Sequence, residues 1–99
     1  MTTTALKVAE YIKSVRPTDG EMALHKKVYY AQAWHLAWTG RPLFGDKIEA
    51  WKDGPVVPSL RHTDVAPNQH ALTSDEASAV DAVLAHYGRM NGRELSILT

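Results

Sequence analysis

The chain contains no cysteine. That excludes disulfide staples, thiolate zinc sites, iron–sulfur clusters and a cysteine nucleophile, so the fold must stand on its core. It has no surplus charge either, because 11 Lys and Arg balance 11 Asp and Glu, for a formal net charge of zero with His neutral. A balanced chain argues against affinity gained by neutralising many phosphates, which makes nucleic acid an unlikely partner. No apolar run approaches the roughly 20 residues of a membrane span; the richest, Val28 to Trp38, is interrupted by Gln32 and His35. The N-terminal Met1-Thr2-Thr3-Thr4-Ala5-Leu6-Lys7 lacks the apolar core and cleavage site of a secretory signal. The chain is read as soluble and cytoplasmic, with no membrane partner.

Reaction centres are also missing. Gly20, Gly40, Gly45, Gly54, Gly88 and Gly92 are scattered singly, so no phosphate-cradling loop forms. Ser14, Ser59, Ser74, Ser78 and Ser96 sit in no G-x-S-x-G setting. His25 and His35 are separated by roughly 15 Å along one helix, too far to share an ion, and His62 and His70 straddle a loop without a metal-binding pair motif. A carboxylate pair, Asp53 with Glu49, is better explained as solvated turn and strand residues than as acid and base. These readings point away from an enzyme, with no cofactor, no metal and no catalytic residue.

What is present is 99 residues that are 44% hydrophobic and 22% charged, a balance suited to one globular domain. Ala5, Val8, Ala9, Ile12 and Val15 recur at helical spacing and predict a first helix stopping before Pro17. Residues 21–39 predict a second helix, apolar nearly all round and hence central, ended by Gly40 and Pro42. Pro42-Leu43-Phe44 and Lys47 to Trp51 read as two short extended segments around the Gly45-Asp46 turn, a small hairpin. Asp53-Gly54-Pro55 forces another turn, Pro58 suits the first turn of a helix through Leu60 and His62, and Val65 to Ala71 reads as a surface loop. Thr73 and Glu76 form a capping box ahead of a third helix with the stripe Ala77, Val80, Leu84 and Tyr87, closed by Gly88. Asn91-Gly92-Arg93-Glu94 opens a further helix that Thr99 cuts short, so the C-terminus reads as truncated. The fold class is mainly α (α+β), a helical domain around a central apolar helix with a small β-hairpin.

Aromatic residues concentrate between Tyr29 and Trp51. Trp34 is assigned to the core. Trp51 has two readings, a buried anchor between hairpin and central helix or a partner-facing anchor of the kind that dominates binding energies. The Lys26-Lys27 pair reads as a solvated edge with its stems along apolar neighbours. Pro55 and Pro58 stiffen the chain beyond Gly54, so Lys52 and Asp53 are expected outward at a rigid tip.

The run Met22 to Leu36, then Gly40-Arg41-Pro42-Leu43-Phe44, then Ile48-Glu49-Ala50-Trp51-Lys52-Asp53-Gly54-Pro55-Val56-Val57-Pro58, resembles the Panacea domain family, also called SocA-like or GepA-like. The resemblance covers about residues 5–99 and includes the closing Glu94-Leu95-Ser96-Ile97-Leu98-Thr99; Leu60-Arg61-His62 departs from the family pattern. It implies a phage- or bacterium-associated antitoxin that neutralises a cognate protein toxin by direct contact, with an adaptor mode that hands the toxin to a ClpXP-type protease. A phage protein that redirects a host or defence factor is the alternative, a small hydrolase a more remote one. A second copy of the chain is a further candidate partner. The toxin-binding residues expected are Lys26, Lys27, Tyr30, Trp51, Lys52 and Asp53, with Trp34, Gly54, Pro55 and Pro58 as structural signature.

Overall fold

A computed structural model describes residues 3–52, 54–61 and 63–87. Three helices carry the chain: α1 (Ala5–Val15), α2 (Glu21–Thr39) and α3 (Ser74–Tyr87). Between α2 and α3 lie β1 (Glu49–Trp51), β2 (Gly54–Val56) and a 3-10 turn at Pro58–Leu60. The expected class, mainly helical with a small β element, is the one that forms.

Local chemistry accounts for most helix ends. The Thr4 hydroxyl accepts from the Lys7 amide and caps α1. Gly40 closes α2 at φ 72°, a left-handed conformation that costs glycine little. The Thr73 capping box is reciprocal, since the Glu76 carboxylate accepts from Thr73 N–H at 2.9 Å while the Thr73 hydroxyl accepts from Glu76 N–H at 3.3 Å. Pro58 opens the 3-10 turn, where its missing N–H leaves no bond unmade. The expected surface loop of residues 65–71 is largely solvent-facing and is tied back to α1 by the Asn68 amide, which donates to the Glu10 carbonyl. The further C-terminal helix, the Gly88 stop, and residues Asp53 and His62 lie outside the described residues.

The core gathers Val8, Ile12, Leu24, Val28, Phe44, Val57, Leu60, Val80 and Val83, all essentially inaccessible. Helix α2 packs against both α1 and α3, which also touch each other, and β2 lies against it. Its centrality holds for residues 23–31 only, because Leu36 and Trp38 near its end are exposed. Phe44, the single phenylalanine, is wholly buried.

Two expectations are corrected. The hairpin does not form around Gly45-Asp46: β1 pairs antiparallel with β2 in the register Glu49↔Val56, Ala50↔Pro55 and Trp51↔Gly54, and Phe44 instead makes an isolated parallel bridge to Thr3. Asp46 is occupied otherwise, accepting from Ala5 N–H at 2.9 Å and from the Ser59 hydroxyl at 2.6 Å, so it pins the start of α1 and the 3-10 turn to one loop. The solvated edge at Lys26-Lys27 is also not what forms. Lys26 is 3% and Lys27 0% exposed, and the Lys27 ammonium is ion-paired with Asp19 of the α1–α2 turn. A charge leaves water only when an opposite charge travels with it, and Asp19 supplies that charge.

Candidate functional site

Among the clefts of the described residues, two differ sharply in chemistry. The first lies beside the hairpin. Trp51, the last residue of β1, is 40% exposed, so of its two readings the outward one describes its position. Its indole N–H donates to the Glu49 carboxylate at 2.9 Å, and the other Glu49 oxygen lies 3.2 Å from the Lys47 ammonium. The indole bond, reinforced by Lys47, holds the Glu49 carboxyl below the usual carboxylate range. Arg61, one residue past the 3-10 turn, places its guanidinium carbon 4.4 Å from the centre of a Trp51 ring, a cation–π contact.

Arg61 also borders a cleft of about 390 Å³ lined by Glu21, Met22, His25 and Val56. Met22 is 51% exposed. His25 Nε2 lies 3.8 Å from the Glu21 carboxylate one turn earlier on α2. Burial pushes the His25 pKa down; the Glu21 charge opposes that and the Arg61 charge adds to it.

The second cleft, about 340 Å³, runs between the later turns of α2 and the end of α3 and is lined by Tyr29, Tyr30, Ala33, Trp34, Ala37, Trp38 and Tyr87. Its wall is aromatic. Tyr30 stacks on Tyr87 at 4.4 Å, Trp34 stacks on the His86 ring at 5.2 Å, and Trp38 meets Trp34 edge-on at 4.8 Å. Trp34 is therefore half-buried at the rim of the core rather than inside it.

The residues expected at the site are divided by the fold. Trp51 and Lys52 stand at the surface of the hairpin, whereas Lys26, Lys27 and Tyr30 are buried along α2. Gly54 opens β2 opposite Trp51, and Pro55 pairs with Ala50. Sequence reasoning missed Arg61, Met22 and the supporting pair Gln32 and Asp46. Gln32 is the clearest omission: its carboxamide oxygen accepts from the Leu43 and Phe44 amides at 2.7 and 3.1 Å while its NH₂ donates to the Phe44 carbonyl at 2.9 Å. A polar residue inside an apolar helical run was its signal, because a half-buried amide needs partners.

Among the described residues no group of three or more His, Asp or Glu side chains is placed to hold a metal ion, and no helix is long and apolar enough to cross a membrane. Ser59 donates its proton to Asp46, whose other oxygen is taken by a helix amide, an arrangement that fastens a loop.

The hairpin thus presents an outward tryptophan beside an arginine. A family model described as "Antitoxin SocA-like, Panacea domain" matches residues 24–99, and the chain belongs to that family. The matched span starts within α2, so α1 precedes it. Neither a curated protein nor a solved structure matches the chain.

Proposed function

We propose that the chain is an antitoxin that neutralises a cognate protein toxin by direct, non-covalent binding, acting as a single domain. The observation that carries this reading is the antitoxin family match over residues 24–99. The contact residues we assign are Trp51 and Lys52, with Asp53 next in sequence. Support comes from the hairpin itself, because an exposed tryptophan already held by a hydrogen bond and a cation–π contact has little freedom left to lose on binding. Lys26, Lys27 and Tyr30, buried along α2, take the supporting role of holding the scaffold.

The test is inducible co-expression with each toxic reading frame adjoining the gene, scored by growth and by intact mass of the toxin. Restored growth with the toxin's mass unchanged is the expected result. Failure to rescue any of them, or a covalent mass change that depends on this chain, would overturn the reading. Following the toxin's abundance in rescued cells distinguishes neutralisation by occupancy, where the level holds, from hand-off to a protease, where it falls.

A further inference from the structure

We propose that Trp51 and Arg61 form a platform that reads a carboxylate, so the segment of partner protein seated on the hairpin is acidic. The inference rests on the binding reading above and specifies the partner's chemistry. It begins with charge. The chain as a whole is neutral, yet the carboxylate on this strand, Glu49, is already engaged by the Trp51 indole and by Lys47. Arg61 and Lys52 have no carboxylate within ion-pair reach among the described residues. Among the described residues, Arg61 therefore stands beside Trp51 without an ion-paired carboxylate.

Geometry then selects Arg61 as the reader. Its backbone is set by the 3-10 turn, where its N–H donates to the Pro58 carbonyl at 3.0 Å. Its guanidinium lies over an indole that is itself fastened to Glu49. A guanidinium carbon held 4.4 Å over the ring by a cation–π contact still carries N–H donors for an acceptor, and a planar guanidinium suits paired N–H···O bonds to a carboxylate. Met22, exposed at the same cleft, offers an apolar contact beside the charge. The Glu21 carboxylate lines the same cleft, 3.8 Å from His25 Nε2, and disfavours a second carboxylate beside it. An acidic segment with aliphatic neighbours fits this face. Nucleic acid fits it less well, since two cations release few counterions.

The probe is a synthetic peptide of three Glu-Leu-Leu-Glu repeats, titrated into the ¹⁵N-labelled full chain, with its Gln-Leu-Leu-Gln counterpart and a twelve-residue oligothymidine as comparators. The Trp51 indole and Arg61 Nε–H resonances should shift saturably with the Glu peptide. The Gln peptide should bind at least tenfold more weakly, because hydrogen bonds to a charged group account for about a tenfold to hundredfold change in affinity. Arg61→Gln should lose about the same factor, and Arg61→Lys, which keeps the charge but not the fork, should fall between. Melting curves accompany each variant. If Arg61→Gln does not fold, the Arg61→Lys titration and the peptide comparison carry the test. Equal affinity for both peptides, saturable shifts that avoid Trp51, no shift at all, or tighter binding of the oligonucleotide would each overturn the platform. The titration uses no toxin, so the two readings fail separately: rescue that survives Arg61→Glu removes the platform alone, and absence of any rescue removes the antitoxin reading alone.

Discussion

Replacing Gln32 by Leu tests how α2 holds the loop that leads to the hairpin. The substitution keeps bulk and removes three hydrogen bonds at once, to the Leu43 amide, the Phe44 amide and the Phe44 carbonyl. Each such bond contributes a net ~0.5–1.5 kcal/mol, and a buried amide left unpaired costs ~1–3 kcal/mol. The Gln32 bonds are only partly buried, so the lower part of these ranges applies and the sum is about 2–4 kcal/mol. For a domain whose total stability is ~5–15 kcal/mol that is a large fraction. In urea, with a slope of ~1–3 kcal/mol per molar, the midpoint should fall by about 1–2 M with the slope unchanged. Gln32→Glu keeps the acceptor for both amides but sets an oxygen against the Phe44 carbonyl. It should lose roughly half as much as Gln32→Leu, and should approach the parent protein as acid restores a donor. A Gln32→Leu midpoint within error of the parent protein would refute the reasoning, because it would mean that the loop is held by Phe44 burial alone.

Other perturbations follow from the same interactions. Asp19→Ala should cost about 3 kcal/mol by leaving the buried Lys27 ammonium without its carboxylate, whereas Asp19→Ala combined with Lys27→Met should recover most of that loss; thermal melts of the cycle decide it. Phe44→Ala should cost about 3–5 kcal/mol, read as a midpoint drop in the same urea titration. Tyr11, whose hydroxyl donates to Asp81 at 2.6 Å, has its pKa pushed up to about 12 by that bond first and by burial second. Its folded form holds the proton more tightly than the unfolded chain, so this contribution is complete below pH 10 and is lost as pH rises toward 12; Tyr11→Phe should flatten the stability profile over that window. His25 runs the other way: its folded pKa is depressed, so stability is present above its ordinary value near 6.5 and falls as pH drops below it. NMR titration of the His25 ring should place its midpoint below 6.5.

Features written in neighbouring residues were legible in the sequence. The Thr73–Glu76 capping box and the Gly40 stop depend on contacts a few positions apart and form as read, while Pro58 opens a 3-10 turn that ends at Leu60 where a helix through His62 was expected. Features that depend on distant partners were not. Gly45-Asp46 carries turn chemistry and reads as the hairpin's turn, but Asp46 binds Ala5 and Ser59, 41 and 13 positions away, and the strands that pair are Glu49–Trp51 and Gly54–Val56. Lys26 and Lys27 read as solvated because lysines usually are, and only the fold brings Asp19 to Lys27. The candidate site was half legible: Trp51 stood out by type, while Arg61 gained its meaning from a cation–π contact with a ring ten positions back. The family was legible from the motif residues themselves, nearly all of which lie within the matched span 24–99.

The central claim, neutralisation by direct contact, is tested most directly by sedimentation of the purified chain with the purified toxin whose effect it suppresses. The account predicts a saturable complex of fixed stoichiometry that forms without nucleotide, metal or protease, leaves both masses unchanged and weakens when Trp51 is replaced by Ala. Suppression of toxicity with no complex at micromolar concentrations of both proteins would contradict it.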